Sequence, residues 1–144
     1  MKLKSLFFDS PKVLRAVSKA KRRELSRSGA FIRTRAKSSI RSRKGYAPPG
    51  KPPHSNVGHL KRLIYFSYDP ASDSVVVGPI GWKKGEVPAL LEYGGHAIRA
   101  RPRYRGRQPE RRRVYYRARP YMGPALLAEL KNIPKRWHNA IRSG

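Results

Sequence analysis

Arginine spacing is the chemistry this sequence offers first. Arg99, Arg101, Arg103 and Arg105 recur at every second position, and Arg107, Arg111, Arg112 and Arg113 follow closely. A period of two belongs to a β-strand, whose side chains alternate between two faces. The arginines of 98–105 then share one face, opposite Ile98, Ala100, Pro102 and Tyr104. Residues 106–110 read as a turn and 111–119 as a returning strand, so a basic β-hairpin is predicted over 97–119. Guanidinium groups stay charged and present planar donor forks that match phosphate and carboxylate. So many of them cannot pack on one another; they must be solvated or face anions. Tyr104, Tyr115, Tyr116 and Tyr121 lie among them and have the chemistry to stack on single-stranded bases. Packing across the strands is the commoner use of such tyrosines and is preferred here.

Other reactive groups form no constellation. The four histidines, His54, His59, His96 and His138, are scattered and have no metal-binding spacing with carboxylates. Asp69 and Asp73 sit in a predicted turn and Glu92 in a predicted short helix, with nothing to force them together as a nuclease pair. Cysteine is absent, which excludes thiol catalysis, disulfides and thiolate zinc sites. Gly94-Gly95 lacks the strand–loop–helix order of a phosphate-binding loop. No catalytic residue, metal or cofactor is therefore expected. Glu92, a rare acid in a cationic chain, is expected to pair with an arginine, with a subunit boundary as one place for that pair.

The elements that must carry the arginines are organised around an almost uncharged centre. Residues 60–96 are electrically neutral, whereas 1–59 carry a net +14 and 97–144 a net +12, for +26 in all. Charge of one sign at this density opposes the compact state unless a polyanion or an acidic neighbour relieves it. Contact with nucleic acid or with an acidic protein is thus expected over a merely soluble basic surface. The 144 residues suit a single domain with a modest core, at 38% hydrophobic content. No stretch approaches a membrane span. Leu6, Phe7 and Phe8 are too short an apolar patch for a signal peptide, so a cytoplasmic product, or part of something assembled there, is expected.

In order along the chain, Ser10-Pro11 is a helix start, and Leu14, Val17, Leu25, Gly29, Ile32, Ala36 and Ile40 recur at helical spacing. They predict a helix over 11–41, weakest near Ser28-Gly29, lying on a sheet by a narrow stripe. Residues 42–59 are rich in proline and read as an extended, stiff loop. It serves either as a crossover or as an arm for a neighbouring subunit, in which case Pro48, Pro49, Gly50, Lys51, Pro52 and Pro53, together with Glu92, are candidate interface residues. Residues 60–80 form the predicted core hairpin, 87–93 a short helix stopped by Gly94-Gly95, and 124–142 a C-terminal helix kinked at Pro134.

The order of these pieces resembles the neck, or minor tail, proteins that complete and join the tail at the head–tail junction of lambda-like long-tailed bacteriophages. The matching stretches are SGAFIRTRAKSSI at 28–40, PPGKPPHSNVGHLKRLIYF at 48–66, SVVVGP at 74–79, VPALLEYGG at 87–95 and ARPYMGPAL at 118–126. The match spans most of the chain in the family's order; the arginine load of 99–119 exceeds what the family needs. The resemblance implies an α+β fold, with N- and C-terminal helices packed on a four-stranded antiparallel sheet. It implies a structural virion protein in a ring, on the order of six or twelve copies. Its neighbours would be the connector or stopper and the tail terminator or tail tube. Double-stranded DNA in the lumen would be met through phosphates at Arg99, Arg101, Arg103, Arg105, Arg107, Arg111, Arg112 and Arg113. The alternative reading is a small basic RNA- or DNA-binding protein of the ribosomal type.

Overall fold

The computed structural model describes residues 10–82, 86–100, 111–138 and 140. Helix α1, Ser10–Ser39, runs for 30 residues, about 45 Å at 1.5 Å per residue. Its buried column is Glu24, Ser28, Gly29, Ile32 and Ala36. The apolar spacing upstream does not mark a buried face: Leu14 is 64% exposed, and Val13 and Val17 are also exposed. The helix does not break at Gly29. A Cβ there would stand 2.8 Å from Val75 Cγ1 and 3.0 Å from Phe66 Cδ2, so the missing side chain lets the first hairpin approach the helix backbone.

That hairpin is β1, Ile64–Asp69, paired antiparallel with β2, Ser74–Pro79. It lies across α1 and is held there by the helix's cations. Arg33 Nε donates to the Ile64 carbonyl at 2.8 Å. The Arg33 and Arg22 guanidiniums stand over the rings of Tyr65 and Tyr68, and Lys21 pairs with Asp73. These cations serve the fold. The core comprises Ile32, Ala36 and Ile40 of α1, Leu60, Ile64, Tyr121 and Ala125, flanked by Val77, Trp82, Leu91 and Met122.

A one-turn helix α2, His59–Arg62, precedes β1 and was not expected. The 42–59 segment is folded onto its own chain. Arg41 and His54 form a parallel bridge, Ser55 N–H donates to the Arg41 carbonyl, and Ala47 and Pro53 are buried. Lys51 N–H donates to the Pro48 carbonyl across a turn with Gly50 at φ 76°, a left-handed value that glycine adopts without strain. Pro48, Pro49, Gly50 and Lys51 are exposed on this turn, and Pro52 is half-buried.

The short helix α3, Glu86–Tyr93, leads into β3, Gly95–Ala100, which pairs antiparallel with β4, Arg111–Tyr116. The fold is α+β, with helices at both ends of the chain. The single four-stranded sheet is not formed: β1–β2 and β3–β4 are separate two-stranded sheets. The side of α1 that packs is shared by β1–β2 and by helix α4, Met122–Leu130, while the second hairpin packs beside α3. Ala97 and Tyr116 of this ribbon are half-buried beside Leu90 and Leu91 of α3, outside the core cluster, so the ribbon does not extend the core sheet. The C-terminal helix is likewise two pieces. After α4 comes α5, Ile133–His138, so the chain breaks at Lys131-Asn132 and Pro134 sits in the first turn of a new helix, where its missing N–H costs nothing.

Candidate polyanion interface

The register of the second hairpin fixes where its charges stand. Arg99 lies opposite Arg112, Ala100 opposite Arg111 and Ile98 opposite Arg113. Alternation therefore puts Arg99 and Arg112 on one face and Arg111 and Arg113 on the other. Both faces of the ribbon are cationic, and all four arginines are exposed. The apolar face expected opposite the arginines is absent, since Ile98 is 72% exposed. The half-buried residues are Gly95, Ala97, Val114 and Tyr116. Arg101, Arg103, Arg105 and Arg107 lie outside the described residues. Like charges facing each other across two strands destabilise the pair, which marks this ribbon as an element not optimised for its own stability.

The root of the ribbon is well tied. Arg119 N–H donates to the Leu91 carbonyl at 2.6 Å, and Gly50 N–H to the Ala118 carbonyl at 2.9 Å. Arg119 Nε reaches the Ala47 carbonyl at 2.7 Å. A Cβ on Gly94 would stand 2.9 Å from both Ala118 N and the Tyr116 carbonyl oxygen, so α3 ends directly against the chain leaving β4.

The tyrosines divide as their positions dictate. The exposed Tyr115 ring lies 5.0 Å from that of His96, tilted, across the strand pair. Tyr116 is half-buried, and Tyr104 lies outside the described residues. Tyr121 is a core residue, 1% exposed, and its hydroxyl is pushed up to about 12, first by burial and then by the Glu92 charge. It offers no platform to a base.

Every carboxylate whose side chain is described is already engaged. Glu92 pairs with no guanidinium among the described residues. Its oxygens accept from the backbone N–H groups of Tyr121 at 2.9 Å, Met122 at 3.0 Å and Gly123 at 2.7 Å, capping α4 from a distance. Glu129 is buried between Arg35, whose Nε and Nη2 reach Oε1 at 2.7 and 2.6 Å, and Arg136. The Arg136 hydrogen bond, the largest influence, holds the Glu129 carboxyl below its usual range; burial opposes this, and Arg35 and Asn132 assist. Glu24 is buried beside Arg23 Nε at 3.5 Å and Arg27 at 3.9 Å. Asp73 accepts from the Tyr68 hydroxyl at 2.7 Å and pairs with Lys21. Asp69 closes the β1–β2 turn through Ala71 N–H and Ser72 Oγ, and those bonds hold its carboxyl below the usual range.

The described residues contain no group of three or more histidines and carboxylates arranged to hold a metal. What the site offers is electrostatic: exposed guanidiniums on two faces of a ribbon, with no described carboxylate left over to neutralise them. Such a surface suits phosphates or foreign carboxylates. No described helix is long and apolar enough to cross a membrane. Comparison of the chain with protein-family models, with characterised proteins and with solved structures finds no match.

Proposed function

We propose that this chain is a structural subunit of a bacteriophage neck. It forms a ring at the head–tail interface, beside connector or stopper and tail terminator or tail tube proteins, and ends in the virion after assembly in the host cytoplasm. The ribbon faces double-stranded DNA in the lumen and touches phosphates without reading sequence. The reading rests on the segments that resemble that family. The observation that carries the DNA contact is the exposed Arg99/Arg112 and Arg111/Arg113 ribbon, set against described carboxylates that are all engaged elsewhere. A ring multiplies weak contacts, so a few arginines per copy suffice. The exposed Pro48–Lys51 turn, fixed by its own hydrogen bond, suits a contact between neighbouring copies.

The test is fluorescence anisotropy of duplex DNA with purified protein across a salt series. Binding should be independent of sequence and fade steeply from low to physiological salt, because each neutralised phosphate releases counterions. The double variant Arg99→Ala/Arg112→Ala should reduce the log–log salt slope by about two. A flat salt response overturns phosphate contact, and selective binding to structured RNA favours the ribosomal-type reading instead.

A further inference from the structure

The root of the ribbon carries a second kind of surface. Between α3 and the β3–β4 pair lies an open cleft of about 430 Å³. Leu90, Leu91, Ala97 and Tyr116 line it, and Arg99 and Arg117 stand at its edge. A phosphodiester would satisfy these guanidiniums and leave the apolar lining wet. A purely aliphatic ligand would cover the lining and leave the cations without partners. A segment carrying both chemistries satisfies both parts of the cleft.

We propose that this cleft receives an acidic peptide segment of a neighbouring protein, with one or two aliphatic side chains seated in the lining and flanking aspartates or glutamates on the arginines. A second copy of this chain is a poor occupant of the cleft, because its described carboxylates Glu24, Asp69, Asp73, Glu92 and Glu129 are all bound within the fold and leave no acid to meet the arginines. The inference rests on the ribbon being an anion-binding arm. It gives the root of that arm a protein partner; Arg99 borders both surfaces, and Arg111, Arg112 and Arg113 are left to DNA.

Two fluorescein-labelled peptides of aspartates and glutamates test it, one with a central Leu-Leu pair and one with Ser-Ser in its place. The leucine peptide should bind at least about tenfold more tightly, as expected for burying aliphatic side chains. Ala97→Phe fills the cleft and raises strand propensity, so it should abolish that preference while duplex-DNA binding by the same preparation stays unchanged. Circular dichroism checks its folding. Should that variant not fold, Arg117→Glu at an exposed position decides, and it should weaken leucine-peptide binding about tenfold. Equal affinity for the two peptides overturns the proposal, as does displacement of the leucine peptide by a single-stranded oligonucleotide that Ala97→Phe also excludes. Retained peptide preference with no duplex-DNA binding upholds the cleft and overturns the DNA reading instead.

Discussion

A carboxylate brought to a helix N-terminus from another element does what a local cap residue ordinarily does. Helix α4 has Tyr121 at its cap position, with no side-chain cap bond of its own, and Glu92 supplies the acceptors for three backbone N–H groups. Glu92→Ala should therefore cost about 1–3 kcal/mol in urea unfolding, and Glu92→Gln, which keeps one acceptor oxygen, clearly less. Equal losses would assign the effect to charge rather than to acceptors. At Glu129 the folded-state pKa lies below the unfolded value, so its stabilisation is complete above the unfolded pKa, about 4.5, and is lost as pH falls through the lower folded value. Thermal midpoints should be level from about pH 7 to 5 and drop below about pH 4, with a flatter profile in Glu129→Gln. Neither role was legible in the sequence. Glu92 bonds residues 29–31 positions away and Glu129 bonds Arg35 across 94, and no local pattern encodes such partners. The expected arginine partner belongs to Glu129, not to Glu92. A single acid inside the apolar run of 125–130 was the available signal, because a carboxylate on a buried helix face requires a cation.

At the scale of elements, periodicity carried what it ordinarily carries. A run of branched and aromatic residues pointed to the first hairpin and alternating arginines to the second, and proline and paired glycines bounded α3. Spacing alone failed at the first third of α1, where apolar residues recur at helical intervals yet Val13, Leu14 and Val17 are exposed. It failed again at Gly29, read as a weak point although it is a contact. Alanine is the better helix former by about 1 kcal/mol, but its Cβ would press on a β-branched side chain with little freedom to yield. Overpacking of this kind costs about 1–3 kcal/mol. Gly29→Ala should thus destabilise the protein, by about 1 kcal/mol net, in chemical denaturation; a stabilised variant would show that the hairpin does not sit tightly on α1. The separate sheets follow from the same limits: alternation predicts a strand but not its neighbour.

For the whole molecule, charge is the governing quantity, and its distribution could be read directly: a neutral middle between two basic flanks. Crowding of cations is visible even within the fold. The Lys37 amine is held below its usual 10.5, first by burial and then by the charges of Arg33 and Lys61. A polyanion that binds the folded state should therefore stabilise it. At about a hundred times its dissociation constant the gain is about 2.7 kcal/mol, seen as a rise of several degrees in the thermal midpoint with duplex DNA at low salt and its disappearance at high salt. An unmoved midpoint at saturating DNA would mean that the folded and unfolded chains bind DNA equally well.

The backbone bonds at the base of the ribbon have a mechanical consequence. Arg119 is anchored to Leu91 and to Ala47, and Ala118 to Gly50, so the chain leaving β4 is bolted to both α3 and the proline segment. A tug on the ribbon's outer end cannot simply peel it away. The load passes through these bolts into α3 and, by way of the Glu92 carboxylate, into α4, which packs on α1. Tension applied to β3–β4 would be felt along α1, the longest of the described helices.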